Sequence, residues 1–376
     1  MSLEPLLAPE AFTGLEDITH LCTGGEAPWL KAHDGVYAEF ARLKSGGYAG
    51  RGEIYRRGEA CRAKMGRLWR VPADRIAFMP SAAEGMSWLA RGLDWRAGDN
   101  VVVPNLEFPS VAYAWKQLEA RGVEIRLVPH RDWRIDEADL LAAVDGRTRV
   151  LAVSQVSFYT GQNLDIERLG LECRRQGALL AVDATHAAGA VRVPAAAADW
   201  CVSSAYKWLL ATHGVAPCYA GDRALQGLSD TCYGWHNLAV WPAQGAERQQ
   251  QVEAKSMPDR LEPGNPAMAI VLFLDRALDV LLELGVEAIE NHDRALAERI
   301  AEGLKRAGRE VISPGGLQAL SGNTCFLADD AKGVQEALER EGVLVWGEHG
   351  RVRVSGHLYN GAADVERLLQ ALETVG

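Results

Sequence analysis

The sequence predicts an α/β protein: a large domain with a mostly parallel sheet flanked by helices, and a smaller C-terminal α+β domain. From about residue 70, short apolar runs alternate with segments of helical period, which requires crossover connections and a sheet covered on both faces. At residues 243–266 the composition changes to glutamine, proline and glycine, which predicts a loop that ends the large domain. We therefore predict domains at residues 1–265 and 266–376, with the N-terminal segment free to pack on the small domain.

The elements of the large domain follow from the spacing of apolar residues. Short apolar runs predict strands at 76–79, 101–103, 125–128, 150–156, 178–182, 200–203 and 215–219. A helical repeat of apolar positions predicts a helix after the first strand, and its buried face carries Met86, Leu89, Ala90 and Leu93. Further helices are predicted at 111–118 and 166–175.

The small domain is predicted to begin with a helical stretch at 267–307 that is interrupted near Gly285. Short strands at 324–327, 343–346 and 352–355 follow. The last predicted helix has one apolar face, made of Val365, Leu368, Leu369 and Leu372. Helices mixed with a few short strands are typical of an α+β domain.

Composition and charge exclude several classes of partner. The 376 residues include 40 basic and 50 acidic side chains, a net charge of −10, and no Lys/Arg cluster, so a nucleic-acid partner is not expected. The seven cysteines are scattered without a Cys-x-x-Cys pair, which disfavours disulfides or a metal site and fits a reducing compartment. Because no secretory signal and no long apolar run is visible, we expect a cytoplasmic protein without a membrane partner.

Polar residues follow three of the predicted strands. Ser81 begins a helix with Glu84 three residues on, which is a capping box, and such a helix N-terminus can also hold a phosphate. Asp183 ends another strand, at the edge where α/β sheets bind ligands; the alternatives to a ligand-binding role are a solvated carboxylate and a helix cap. Lys207 follows a third strand and, taken alone, would be typical of a surface lysine. Together these groups suit pyridoxal 5'-phosphate (PLP), which needs a lysine at its aldehyde, an acid at its pyridine nitrogen and a phosphate site.

The chemistry of PLP explains these residue types. A carboxylate such as Asp183 beside the pyridine nitrogen keeps the ring protonated, and the cationic ring accepts the electrons released at the substrate Cα. Lys207 would hold the cofactor covalently at rest and, once displaced, act as a base beside Cα. Phe108 follows another predicted strand and could stack on the ring face; the alternative is a core phenylalanine.

Longer motifs around these residues resemble the class V aminotransferase family of fold type I PLP enzymes, the group that contains cysteine desulfurases, kynureninases and isopenicillin N epimerase. The resemblance spans about residues 15–373, and the motifs that carry it lie at 81–84, 160–161, 182–186, 199–216 and 353–360. It implies that Lys207 is the Schiff-base lysine and that Asp183 pairs with the pyridinium. His186, at the family's His/Gln position, is implied to lie near the phenolic oxygen of the ring.

The resemblance also implies residues around the phosphate and the substrate. Those assigned to the cofactor are Ser81, Ala82, Ala83, Phe108, Ser204, Tyr206 and Asn265, the last in a loop that the family sends across a dimer interface to the partner's phosphate. Arg353 is implied to bind the substrate α-carboxylate; the alternative is a solvent-facing strand residue. Trp235 and Thr23 are candidates for the substrate pocket, with a core side chain and a simple turn as alternatives. We therefore expect a homodimer, without a metal.

The expected reaction acts on a small amino acid through a Cα-carbanion (quinonoid) intermediate, with Lys207 removing the α-proton. A lyase that breaks a bond at Cβ is favoured; an aminotransferase, an epimerase and, more remotely, a non-catalytic PLP-fold binding protein are the alternatives. A persulfide-forming desulfurase is disfavoured, because residues 346–350 before Arg353 hold no cysteine and Cys325 lies in an apolar strand pattern. Residues 108–110, 159–162 and 186–189 resemble kynureninases, whereas 207–214 resembles the epimerase and desulfurase branches.

Overall fold

The computed structural model describes residues 3–240, 252–316 and 319–374. The α-helices are α1 (Val36–Ser45), α2 (Gly47–Trp69), α3 (Ala82–Gly92), α4 (Pro109–Ala112), α5 (Glu137–Ala143), α6 (Ile166–Gln176), α7 (Asp222–Gly227), α8 (Met268–Leu284), α9 (Val286–Arg306), α10 (Ala331–Arg340) and α11 (Ala362–Thr374). The strands are β1 (Thr19–His20), β2 (Ile76–Met79), β3 (Asn100–Pro104), β4 (Glu124–Val128), β5 (Thr148–Ser154), β6 (Leu179–Asp183), β7 (Trp200–Val202), β8 (Ala216–Ala220), β9 (Asn323–Leu327), β10 (Val343–Leu344), β11 (Trp346–Glu348) and β12 (Arg351–Ser355). The predicted loop at 243–266 is described only from residue 252, and its glutamine run at 249–251 lies outside the described residues.

A seven-stranded sheet forms the centre of the molecule, in the order β2-β8-β7-β6-β5-β3-β4. β8 runs antiparallel to both of its neighbours, and the other six strands run parallel to one another. Alternate residues of β5 enter different hydrophobic cores, since Leu151 and Val153 pack on one face of the sheet and Val150 and Ala152 on the other. The predicted α/β class, with a mostly parallel sheet covered on both faces, is thereby confirmed.

The parallel strands bring their carboxyl ends to one edge of this sheet, the edge at which α/β proteins bind ligands. The chain leaves β2 to reach Ser81 at the start of α3, and it leaves β3 to reach Phe108. β6 ends at Asp183, and the segment after β7 contains Lys207. Residues that are far apart in the sequence therefore meet at this edge because of the strand order.

Two small sheets involve the C-terminal part of the chain. β11, β12 and β9 form an antiparallel sheet in that order, and its register places Ser355 opposite Asn323. β1 pairs in parallel with β10, with Thr19 opposite Val343. The N-terminal segment thus packs on C-terminal elements, and its Leu21 is fully buried in their hydrophobic core.

Two predicted elements differ from the structure. In the predicted helix at 111–118, α4 is followed by a 3-10 helix over Tyr113–Arg121, in which the buried Trp115 and Leu118 are three residues apart, the repeat of that helix. The predicted strand at 343–346 is two strands, because β10 pairs with β1 whereas β11 pairs with β12.

The N-terminal helices α1 and α2 have no clear signal in the sequence. α2 contains five glycines, which lower helix propensity, and it is held instead by packing against α8. None of the described helices combines the length and the apolar run that crossing a bilayer requires.

Candidate active site

A cavity of about 150 Å³ lies at the carboxyl edge of the seven-stranded sheet. The predicted site residues that line it are Ser81, Ala82, Ala83, Phe108, Asp183, His186, Ser204, Tyr206 and Lys207. Three larger cavities among the described residues, of about 350, 410 and 480 Å³, contain neither Asp183 nor Lys207. The side chains with the relevant chemistry therefore meet in the smaller cavity.

Lys207 is buried in this cavity, with 6% of its surface exposed. Its Nζ lies 3.1 Å from His186 Nε2 and 5.6 Å from the ring centroid of Phe108. Burial and, next, the positive charge of Arg353 lower the pKa of Lys207 to about 7. A large fraction of the Lys207 side chains is therefore the neutral amine near neutral pH, the form that attacks an aldehyde.

Asp183 is a buried carboxylate at the end of β6, in register with Ser154 of β5. One of its oxygens accepts a hydrogen bond of 2.7 Å from the Thr185 amide. Burial raises the pKa of Asp183, and the hydrogen bonds from Thr185 and the charge of Lys207 oppose this rise. A cationic N–H placed against this carboxylate would favour its ionised form.

Glu107, which the sequence reasoning did not select, supports the floor of the cavity. Its carboxylate accepts two hydrogen bonds of 2.6 Å from the amide and the hydroxyl of Ser154, the register neighbour of Asp183. Burial raises the pKa of Glu107 to about 7, against the hydrogen bonds from Ser154. The signal available in the sequence was an acidic residue directly before Phe108. Many acidic residues precede a turn at a strand end, so this signal does not single out Glu107.

The N-terminus of α3 faces the same cavity. Ser81 Oγ accepts a hydrogen bond of 3.1 Å from the Glu84 amide, which is the geometry of a capped helix start. Ala82 and Ala83 line the cavity at the first turn of this 11-residue helix, where backbone N–H groups and the helix dipole favour an anion. The Ser204 amide lies nearby and donates to Thr185 Oγ1 at 3.0 Å.

Arg353 lies on β12 and is 4% exposed, so the solvent-facing alternative does not describe it. Its Nη1 donates to the Phe158 carbonyl at 3.2 Å, whereas its Nε is buried and has no hydrogen-bond partner in the described part of the chain. Burial lowers the pKa of this guanidinium, and Arg353 forms no ion pair with a described carboxylate. A buried guanidinium without a counter-ion is costly, which makes Arg353 suited to an anionic ligand.

Four predicted site residues do not line the cavity: Arg353, whose Nη1 contacts the lining residue Phe158, and Thr23, Trp235 and Asn265. Thr23 is fully buried, and its hydroxyl is bonded to Tyr359 Oη at 2.5 Å. Trp235 is half exposed and packs edge-on against His236. Asn265 accepts a hydrogen bond from the Tyr55 hydroxyl and lines two other cavities.

Asn323 and Ser355 are further buried polar residues that sequence reasoning did not assign to the site. Asn323 Nδ2 lies 3.0 Å from His186 Nδ1, and Ser355 donates to Asn323 Oδ1 at 2.8 Å. No local signal marks Asn323, because its partner His186 is 137 residues away in the sequence. Ser355 belongs to the 353–360 motif, which pointed to this segment without indicating a role for the serine.

The residues present fit PLP. One cavity contains the Lys207 amine, whose pKa is lowered, the buried Asp183 carboxylate, whose pKa is raised, and the N-terminus of α3. Phe108, also in its wall, presents an aromatic side chain suited to a planar ring. The fold and the site together define a PLP-dependent enzyme of fold type I.

Comparison with known proteins specifies this class. The family model described as "Aminotransferase class-V" matches residues 30–368, and the chain belongs to this family. A probable cysteine desulfurase of Pseudomonas putida is 29% identical over 327 residues, which cover 81% of this chain and 79% of the relative. The apo structure of a cysteine desulfurase from Thermococcus onnurineus NA1 superposes with a TM-score of 0.89 at 19% identity, covering 99% of both chains.

Structures of the protein C-DES are also similar. A C-DES mutant with glycine covalently linked to its PLP cofactor has a TM-score of 0.88 at 20% identity, covering 97% of this chain and 99% of that one. A complex of the cystine C–S lyase C-DES with its reaction product cysteine persulfide has a TM-score of 0.86 at 21% identity, covering 96% and 98%. The predicted family, fold, PLP cofactor and enzyme class are confirmed by the family match and by these neighbours.

Proposed function

We propose that the chain is a PLP-dependent lyase that breaks a bond at Cβ of a small amino acid, and that the leaving atom is sulfur. The observation that carries this proposal is the pairing of a neutral buried lysine with a buried arginine that lacks a counter-ion: Lys207 and Arg353 are close enough for the charge of Arg353 to lower the pKa of Lys207. A carboxylate held by Arg353 would place the Cα of an amino acid near the Lys207 amine.

PLP, when bound, supplies an electron-accepting ring that makes the α-proton of an attached amino acid acidic. Lys207 is then the base for that proton, because its pKa of about 7 matches neutral conditions. Asp183 would hold a proton on the ring nitrogen, and Phe108 would hold the plane of the ring. His186 lies within hydrogen-bond distance of Lys207 and would donate to an oxygen of the cofactor.

The choice of sulfur is supported by the kinds of relatives. The similar proteins include a probable cysteine desulfurase and a cystine C–S lyase. The β11–β12 hairpin before Arg353 contains no cysteine, and Cys325 on β9 is fully buried. Burial raises the pKa of Cys22, against the positive charge of Arg353, so that Cys22 is a thiol near neutral pH. An elimination that releases its sulfur product fits this site better than transfer to an enzyme thiolate.

The test is a product analysis of the full chain loaded with PLP. We expect cystine to yield pyruvate, ammonia and cysteine persulfide in equal amounts without any keto acid, as the Cβ–S bond breaks and water releases the amine. With cysteine as the substrate, formation of alanine together with a persulfide on Cys22, as the Cys22 thiolate takes the substrate sulfur, and loss of both in Cys22→Ser would instead establish a desulfurase. Turnover that requires a keto acid, or α-proton exchange without products, would establish an aminotransferase or an epimerase. Lys207→Ala is the inactive control.

We further propose that the chain acts as a homodimer in the cytoplasm. Asn265 lies at the surface with Tyr55, and the exposed aromatic side chains of Tyr37 and Tyr48 belong to the neighbouring helices α1 and α2. This is the kind of surface that a second copy would cover. All seven cysteines are unpaired, as a reducing compartment requires. Sedimentation of the purified chain, with Tyr48→Glu as the disrupting variant, tests the dimer.

A further inference from the structure

We propose that Asn323 is a positioning residue that keeps the single proton of His186 on the ring nitrogen facing Lys207. Asn323 begins β9, and its side chain reaches His186 from the sheet that also carries Arg353. This role goes beyond the proposed reaction, since it concerns how the protein prepares its own histidine before any substrate is bound.

In the structure the Asn323 amide turns its Oδ1 toward Ser355, its register partner on β12. The Ser355 hydroxyl donates to Asn323 Oδ1 at 2.8 Å, so that oxygen faces Ser355. The amide nitrogen then faces His186 and lies 3.0 Å from Nδ1. An amide nitrogen only donates, and therefore Nδ1 of His186 is the acceptor and carries no proton.

The second ring nitrogen must then carry the proton. Burial lowers the pKa of His186 well below its usual value, and Lys207 lowers it further whenever its amine is protonated, so the ring is neutral. A neutral ring that accepts at Nδ1 has its proton on Nε2, and this nitrogen lies 3.1 Å from Lys207 Nζ. His186 is thus a hydrogen-bond donor toward Lys207 and toward the cofactor position.

The packing around Asn323 leaves it little freedom. A Cβ added at Gly24 would lie 2.7 Å from both Asn323 Oδ1 and Ser355 Oγ, and one added at Gly161 would lie 2.4 Å from the Asn323 carbonyl oxygen. Gly161 also has a φ of +77°, which favours glycine. The Gly24 segment therefore lies against the Asn323 amide and the Gly161 turn against its backbone, and Asn323 is fully buried.

Nitrogen NMR of the full chain labelled with ¹⁵N-histidine, with and without PLP, tests the proposal directly. His186→Gln identifies the signals of His186. We expect an unprotonated Nδ1 and a protonated Nε2 in the wild type, and the reverse pattern or a doubly protonated ring in Asn323→Asp, because a carboxylate can only accept. Thr324→Val removes a buried hydrogen bond from the same strand, to the Ala297 carbonyl, and should leave the pattern unchanged. A proton on Nδ1 in the wild type overturns the proposal.

A double-mutant cycle separates the tautomer from other effects of the new charge, since position 323 also lies near Arg353. We expect Asn323→Asp to shift the absorbance of the PLP-loaded chain and to lower its turnover about tenfold, and to do neither beyond about twofold in the His186→Gln background. Equal effects in both backgrounds would refute a role through His186. If Asn323→Asp does not fold, Ser355→Ala replaces it, because loss of that hydroxyl releases the amide and should yield a mixture of both His186 tautomers. The NMR result is independent of which reaction the enzyme catalyses.

Discussion

The two halves of the candidate site are built in different ways. The half that would hold PLP uses Ser81, Asp183 and Lys207, each within a few residues of the end of a strand in one sheet. The half that would hold the substrate joins segments that are remote in sequence: Thr23 contacts Tyr359 across 336 residues, and Arg353 contacts Phe158 across 195. The first half depends on local strand–turn sequences, whereas the second depends on the small sheets docking against the large one.

The difference teaches that cofactor binding and substrate recognition can be separated by mutation. Changes at the strand ends should alter cofactor binding first, and changes at Arg353 on β12 should leave cofactor binding in place and alter substrate handling. The following predictions test this division, in order of their expected effect on activity.

The largest effect is expected for Lys207→Ala. Loss of the amine removes both the covalent attachment of PLP and the base for the α-proton, and turnover should fall by a factor of about 10²–10⁴ or more. Absorbance spectra and product assays measure the two losses. Lys116→Ala, an exposed lysine paired with Glu119, is the control. Normal absorbance from covalently bound PLP in Lys207→Ala would refute the assignment.

Arg353→Lys should affect the substrate half alone. An ammonium cannot form the two parallel hydrogen bonds of a guanidinium, so kcat/KM should fall about 10- to 100-fold, mainly through KM, with an unchanged cofactor spectrum. Arg351→Lys is the matched comparison, because Arg351 donates to the carbonyls of Tyr159 and Glu348. The Arg351→Lys variant should have a lower melting temperature, with little change in KM. A lost cofactor spectrum in Arg353→Lys would contradict the separation of the halves.

The pH dependence of PLP uptake should connect the two halves. Only the neutral Lys207 amine reacts, so the rate of covalent attachment should fall as the pH drops through about 7, the pKa set by burial and Arg353. In Arg353→Leu one positive charge is gone, the pKa of Lys207 rises, and the midpoint moves to higher pH. Stopped-flow absorbance measures both midpoints. A wild-type midpoint near the ordinary lysine value of about 10.4 would exclude the buried neutral amine.

The smallest effect on activity is expected for Glu107→Gln, whose main signature is in stability. Burial raises the pKa of Glu107 from 4.5 to about 7, so the folded chain holds this proton more tightly than the unfolded one. This contribution to the free energy of unfolding is fully present below pH 4.5 and is lost as the pH rises through 7. Urea titrations at pH 5 and pH 8 measure how far the free energy of unfolding changes between these two pH values. This change should be about 1–3 kcal/mol smaller in Glu107→Gln than in the wild type. An unchanged difference would argue against the raised pKa.

The sequence was informative where the chemistry is local. Apolar runs that end in Asp183 or lead to Lys207 indicate both a strand and the position of a polar group at the sheet edge, and the capping box shows where α3 begins. The sequence was not informative where a role depends on docking. Asn323 is the first residue of an ordinary apolar strand, and only the register of β9 with β12 and the approach of the segment after β6 bring its amide to His186.

The sequence pattern also did not show that Arg353 is buried. Arg353 alternates with valines as a surface residue would, yet the N-terminal turn at Gly24 and the ring of Trp346 cover it. The roles of the individual site residues and the division into domains at residue 265 stay predictions. α8, placed in the small domain by that division, contributes Val271 and Leu274 to the hydrophobic core of the large sheet.

The pairing of β1 with β10 has a consequence for biosynthesis. Thr19 leaves the ribosome roughly 320 residues before its partner Val343, a delay of roughly 15–65 s at about 5–20 residues per second. During that time the N-terminal segment, with the apolar Leu21, has no strand to join. The substrate half of the site therefore forms only after β10 and β12 have been synthesised.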